Sequence, residues 1–105
     1  MDINQLEVIL TVARERSFSR AAEVLGRSQP AISQAVSRLE DQLVEVLFDR
    51  SSKDGTLTPA GGVLCEHAVE MLNIRRDALE ALREMRLLRR GKVRISANEH
   101  TVFFL

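Results

Sequence analysis

The side chains best suited to chemistry with a partner are short polar groups and amides gathered between two arginines: Arg27-Ser28-Gln29-Pro30, then Ser33-Gln34, then Ser37-Arg38. A glutamine amide carries a donor and an acceptor side by side, the pattern that matches adenine N6 and N7 in the major groove of DNA. Gln29 and Gln34 are therefore candidate base readers. Ser33 and Ser37 are short hydroxyls able to donate or accept at a groove edge. Ser28 stands where a helix starts, so its hydroxyl either joins free backbone N–H groups in holding a phosphate or caps the helix. Arg27 and Arg38 suit phosphate better than a base, and Lys53 is a simple candidate for the sugar–phosphate backbone. Arg50 fits that role and equally fits a structural ion pair.

Net charge is zero, which as a total counts against nucleic-acid binding, but its distribution permits contact through this segment. No acidic residue lies from Val24 to Leu39, whereas Glu23 precedes the stretch and Glu40, Asp41 and Glu45 follow it. Phosphate attraction acts through the contacted face, and a screening length of ~10 Å hides much of the remainder.

Other chemistries find little support. Cys65 is the only cysteine, which excludes an internal disulfide, fits a reducing cytoplasm and reads as a packing residue. His67 and His100 belong to no recognised metal-ligand spacing, so no metal site is expected, and no catalytic cluster marks an enzyme. No apolar run approaches the ~20 residues of a membrane span, and the opening Met1-Asp2-Ile3-Asn4-Gln5-Leu6 lacks the pattern of a signal peptide.

The elements that must carry these residues follow from periodicity. Ile3, Leu6, Ile9, Leu10 and Ala13 predict a helix over about 3–15, and Ser17-Phe18-Ser19 breaks it and offers a cap. A short helix over 20–25 ends at Gly26, where a left-handed residue is wanted. A third helix opens at Ser28 or Gln29 with Pro30 in its first turn, and buries Ile32, Val36, Leu39 and Leu43. Its opposite side carries Pro30, Gln34, Ser37 and Arg38, flanked by Ser33, with Asp41 farther along. Residues 46–50 and 56–58, around a polar turn containing Asp54-Gly55, predict a hairpin and hence a wing.

Thr58-Pro59 signals a long helix with no interior glycine from Val63 until Gly91, ~45 Å at ~1.5 Å per residue. Its face of Leu64, Ala68, Met71, Leu72, Ala78, Leu79, Leu82 and Met85 is expected to pack on another copy of itself rather than fold back over its own domain. After Gly91 the alternation of residues 92–97 predicts a strand. The four apolar residues 102–105 at the end suggest a chain cut within a larger protein.

Five ordered segments make the chain resemble the N-terminal region of LysR-type bacterial transcriptional regulators over essentially its whole length. They are Ser17-Phe18-Ser19-Arg20-Ala21-Ala22 with Leu25, Ser28-Gln29-Pro30-Ala31-Ile32-Ser33, Leu39-Glu40, Leu47-Phe48-Asp49-Arg50, and Leu57-Thr58-Pro59-Ala60-Gly61; Leu6 supports them. The resemblance implies a mainly α fold: a winged helix-turn-helix with a two-stranded wing over 1–58 (the helix-turn-helix about 18–37), then a long dimerising linker helix over 59–90. Residues 91–105 would begin an effector-binding domain. It further implies binding to promoter DNA, homodimers that pair into tetramers at full length, no cofactor in this segment, and a small-molecule effector for the missing domain. One position departs from the pattern: Val44 stands where the family usually has glycine, so the third helix is expected to run on or the turn into the wing to be reshaped or strained. The competing expectation is a dimerisation module whose winged helix contacts protein instead of DNA.

Overall fold

The computed structural model describes residues 1–51 and 55–91. It contains four helices, α1 (Ile3–Glu15), α2 (Phe18–Leu25), α3 (Gln29–Leu43) and α4 (Pro59–Arg89). Lys53, His100 and the strand expected after Gly91 lie outside the described residues.

Local signals set the first three helices. Asp2 and Gln5 form a reciprocal capping box: Asp2 Oδ1 accepts the Gln5 N–H at 2.8 Å, and Gln5 Oε1 accepts the Asp2 N–H at 2.9 Å. α1 stops at Arg16, which is left-handed (φ 54°). α2 begins earlier than its expected start at Arg20, because Ser17 rather than Ser19 is the cap and accepts the Arg20 N–H at 3.0 Å. Gly26 closes it at φ 65°, a conformation glycine adopts without a Cβ penalty. Ser28 caps α3 by accepting the Ala31 N–H at 3.2 Å.

The three helices pack on one another around Leu6, Val8, Ile9 and Val12 of α1, Ala21 and Ala22 of α2, and Ile32, Val36 and Leu39 of α3. Ala21 is fully buried; its small side chain lets the neighbouring helices approach closely. Leu47 and Phe48 close the same core from the segment after α3.

The wing is narrower than expected. Among the described residues its base is a single antiparallel bridge, Phe48 with Leu57, rather than two strands. The Asp49 N–H donates to the Thr56 carbonyl at 2.8 Å and the Thr58 N–H to the Leu47 carbonyl at 3.0 Å. A Glu40 carboxylate takes the Leu47 N–H, which would otherwise extend the ladder, and also the Phe48 N–H. The Thr58 hydroxyl accepts the Gly61 N–H at 3.0 Å and donates to the Val46 carbonyl at 2.6 Å, which welds the start of α4 to the end of the α3 connection.

The chain divides into two compact units, Met1–Leu72 and Asn73–Leu105. The first includes the opening half of α4, so part of the apolar face of this helix lies against its own domain. Ala68 has no exposed surface, and Leu64, Met71 and Leu72 are half-buried against the core of their own domain. A three-helix core this small leaves apolar surface uncovered, and the nearest apolar helix face covers it. In the second unit Ala78, Leu79, Leu82 and Met85 are exposed. Among the described residues no helix is long and apolar enough to cross a membrane.

Candidate nucleic-acid interface

The interface is built on α3. Ile32, Val36 and Leu39 have no solvent-exposed surface, and the helical period then turns Gln29, Pro30, Gln34, Ser37 and Arg38 outward. Ser33 is half-buried at the edge of this face, and Asp41 is exposed one turn beyond Ser37. Exposed Gln29, Pro30, Ala31 and Gln34 thus occupy the N-terminal half, where no carboxylate competes with a polyanion.

The first turn of α3 has few donors to spare. Pro30 has no N–H, the Ala31 N–H goes to the Ser28 hydroxyl, and the Ile32 N–H goes to the Ser28 carbonyl. Ser28 therefore fills the capping role. The Gln29 N–H has no partner among the described residues and remains open to an anion.

The four sequence-selected cations separate. Arg38 is exposed and makes no ion pair among the described residues. Arg27 donates its Nη2 to Asn4 Oδ1 and its backbone N–H to the Ala22 carbonyl at 2.9 Å, so it ties the α2–α3 turn to the start of α1. Arg50 donates Nη2 to Glu40 Oε1 at 3.1 Å, and its guanidinium lies 5.3 Å from the centre of the Phe18 ring. Lys53 is outside the described residues. Nearby, the Ser51 hydroxyl and backbone N–H both donate to Asp49 Oδ1, at 2.6 and 2.9 Å, and these bonds hold the Asp49 carboxyl below its ordinary value.

Sequence reasoning passed over Glu40. Its Oε2 accepts the N–H groups of Leu47 (2.8 Å) and Phe48 (3.3 Å), while Oε1 receives Arg50. Phe18, on which Arg50 rests, meets Phe48 edge-on with ring centroids 5.5 Å apart. Leu39-Glu40 and Leu47-Phe48-Asp49-Arg50 were both legible as segments, but the ten-residue gap from Glu40 to Arg50 is no helical or strand period. Nothing local announces the pair.

Other reactive groups do not converge. Cys65 is half-buried, and burial pushes its thiol up. His67 Nδ1 lies 3.0 Å from the Val63 carbonyl oxygen on its own helix. Among the described residues no three His, Cys, Asp or Glu side chains are grouped to hold a metal.

Comparison with known proteins agrees with this geometry. Residues 3–62 match the family described as bacterial regulatory helix-turn-helix protein, lysR family. The chain belongs to that family. It is 38% identical over 103 residues to a probable RuBisCO transcriptional regulator of Gracilaria tenuistipitata var. liui, covering 98% of this chain and 33% of the relative. The chain spans 30% to 33% of the length of that protein and three others of the same name. Among solved structures, DarR of Vibrio fischeri in complex with DNA superimposes with a TM-score of 0.79 at 32% identity, over 84% of this chain and 30% of DarR. A CbnR_DBD–DNA complex gives a TM-score of 0.77 at 32% identity, over 81% of this chain and 98% of that one.

Proposed function

We propose that this chain is the DNA-reading part of a transcriptional regulator that binds specific sites in double-stranded promoter DNA. The observation that carries this reading is the exposed N-terminal half of α3, where Gln29, Pro30, Gln34, Ser37 and Arg38 face outward with no acidic residue before Glu40. In this reading that half of α3 lies in the major groove, with Gln29 and Gln34 at base edges and Ser33 and Ser37 as auxiliary contacts. Arg38 and the Gln29 N–H hold phosphates, and Lys53 does so from the wing. Ser28, Arg27 and Arg50 act through the shape of the motif. The likeness to DarR and CbnR_DBD, each solved with DNA, supports the same reading.

The segmentation follows: residues 1–58 as the winged domain, 59–90 as linker helix, and 91 onward as the start of an effector domain that binds a small molecule. Self-association runs through the exposed Ala78, Leu79, Leu82 and Met85, and the protein works in the cytoplasm.

The test is anisotropy titration of labelled promoter duplexes over a range of salt. Gln34→Ala should reorder the preference among duplexes, costing about 1–3 kcal/mol at a site whose adenine it reads. Arg38→Ala and Lys53→Ala should weaken every duplex alike and reduce the salt slope by about 1. Binding that ignores both salt and sequence would sink the proposal and leave the winged helix as a protein-binding module.

A further inference from the structure

We infer that Glu40 is the positioning residue that sets the wing base against the recognition helix, so that α3 and the 47–58 segment meet the same stretch of duplex. The inference rests on the DNA-binding reading above and assigns Glu40 no contact with DNA itself. Leu47 and Phe48 are buried in the core, but hydrophobic burial is non-directional and does not fix how the segment is turned about its own axis. Directional bonds do. In the pairing of 47–49 with 56–58, the bridge uses the Leu47 carbonyl and the Asp49 N–H, and the N–H groups of Leu47 and Phe48 take no part in it. Both end on one oxygen of Glu40, a side chain only 14% exposed.

The other oxygen holds Arg50, which reaches on to Phe18 at the first residue of α2. A single carboxylate therefore joins the recognition helix, the wing base and, through Arg50, the other helix of the motif. The direct chain path is held only through its backbone, by the Glu45 N–H on the Glu40 carbonyl and the Val46 carbonyl on the Thr58 hydroxyl. Between α3 and Leu47 there are only Val44, Glu45 and Val46, all exposed.

Charge-assisted bonds to buried N–H groups are the strong kind, and their loss leaves two donors unpaired. Removing the carboxylate should free the segment to rotate while α3, held by its own buried stripe, keeps its face.

The experiment compares the chain with Glu40→Gln and Glu40→Ala on one preferred duplex and on the same duplex altered at the base that Gln34 discriminates. Glu40→Ala should lower the salt slope by about 1, the loss of a wing phosphate contact, while the affinity ratio between the two duplexes stays within about twofold. Glu40→Gln keeps one acceptor for the N–H groups and should fall between. A purely structural role would lower the melting temperature and leave the slope of the folded protein unchanged. That result overturns the inference, as does a slope and a ratio that fall together. Should Glu40→Ala lack helical circular dichroism at the assay temperature, Glu40→Gln decides by the same two quantities. Absence of salt-dependent binding by the unsubstituted chain is a different result, and it overturns the DNA-binding reading together with this one.

Discussion

Gly61, in the first turn of α4, lies directly against the main-chain carbonyl of Leu47. A Cβ at this position would overlap the carbonyl oxygen and stand 2.8 Å from Leu57 Cδ2. The obstacle is backbone in a buried segment, which cannot swing aside. Its neighbour Gly62 has open space where its Cβ would be. Gly61→Ala should therefore destabilise the domain by about 3 kcal/mol, as overpacking against backbone does, whereas Gly62→Ala should stabilise it by about 0.5–1 kcal/mol through helix propensity. Urea unfolding of the two variants checks this, and equal midpoints would contradict the close contact.

Val44 caps α3 in the left-handed region, at φ 56° and ψ 42°, with its N–H on the Glu40 carbonyl. The helix does not run on past it; the β-branched residue takes the strained conformation instead. Its side chain is 86% exposed and so recovers little by packing. Left-handed backbone costs such a residue about 1–2 kcal/mol, part of which glycine returns through its freer unfolded chain. Val44→Gly should raise stability by about 0.5–1 kcal/mol, and Val44→Asn by a similar or smaller amount. A fall in melting temperature for both would show that the conformation carries no strain.

Cys65 should react slowly. Burial raises its thiol above the ordinary value, which lowers the thiolate fraction at neutral pH. Iodoacetamide labelling at pH 7.5 should be slower in the folded protein than in denaturant, with equal rates as the contrary result. The same shift fixes the sign of a pH effect. A group whose folded value lies above its unfolded one, about 8.5 for a thiol, contributes its full stability below that pH and loses it as pH rises toward the folded value. Part of any alkaline loss of stability should therefore disappear in Cys65→Ala.

The helices were readable because their signals are local. Asp2, Ser17 and Ser28 are caps, Gly26 is a stop, and Ile32, Val36 and Leu39 form a buried stripe at helical spacing. These side chains act within one or two turns of their own positions, which is the range a sequence pattern can encode. The wing was less legible for the opposite reason, and among the described residues it is marked only by the Phe48–Leu57 bridge. Strand-like spacing at 46–50 and 56–58 says nothing about a carboxylate ten residues before Arg50 that takes the N–H groups of Leu47 and Phe48.

The face of α4 shows the same limit. Periodicity marks Leu64, Ala68, Met71, Leu72, Ala78, Leu79, Leu82 and Met85 alike as apolar, but only three-dimensional packing decides which body covers each. In the site, the outward residues of α3 followed directly from its buried stripe. The partners of Arg27 and Arg50 are tertiary: an ion pair was one of the two roles open to Arg50, but neither its partner Glu40 nor the structural duty of Arg27 was visible beforehand.

That division of the α4 face has a consequence for the order of events after synthesis. Because the first unit closes its core with its own Leu64, Ala68, Met71 and Leu72, a newly made chain needs no second copy to fold its reading head. In the proposed self-association, a second copy meeting Leu79, Leu82 and Met85 would join a finished object. The fold of that head should therefore not depend on protein concentration, and dilution should act on the proposed assembly alone.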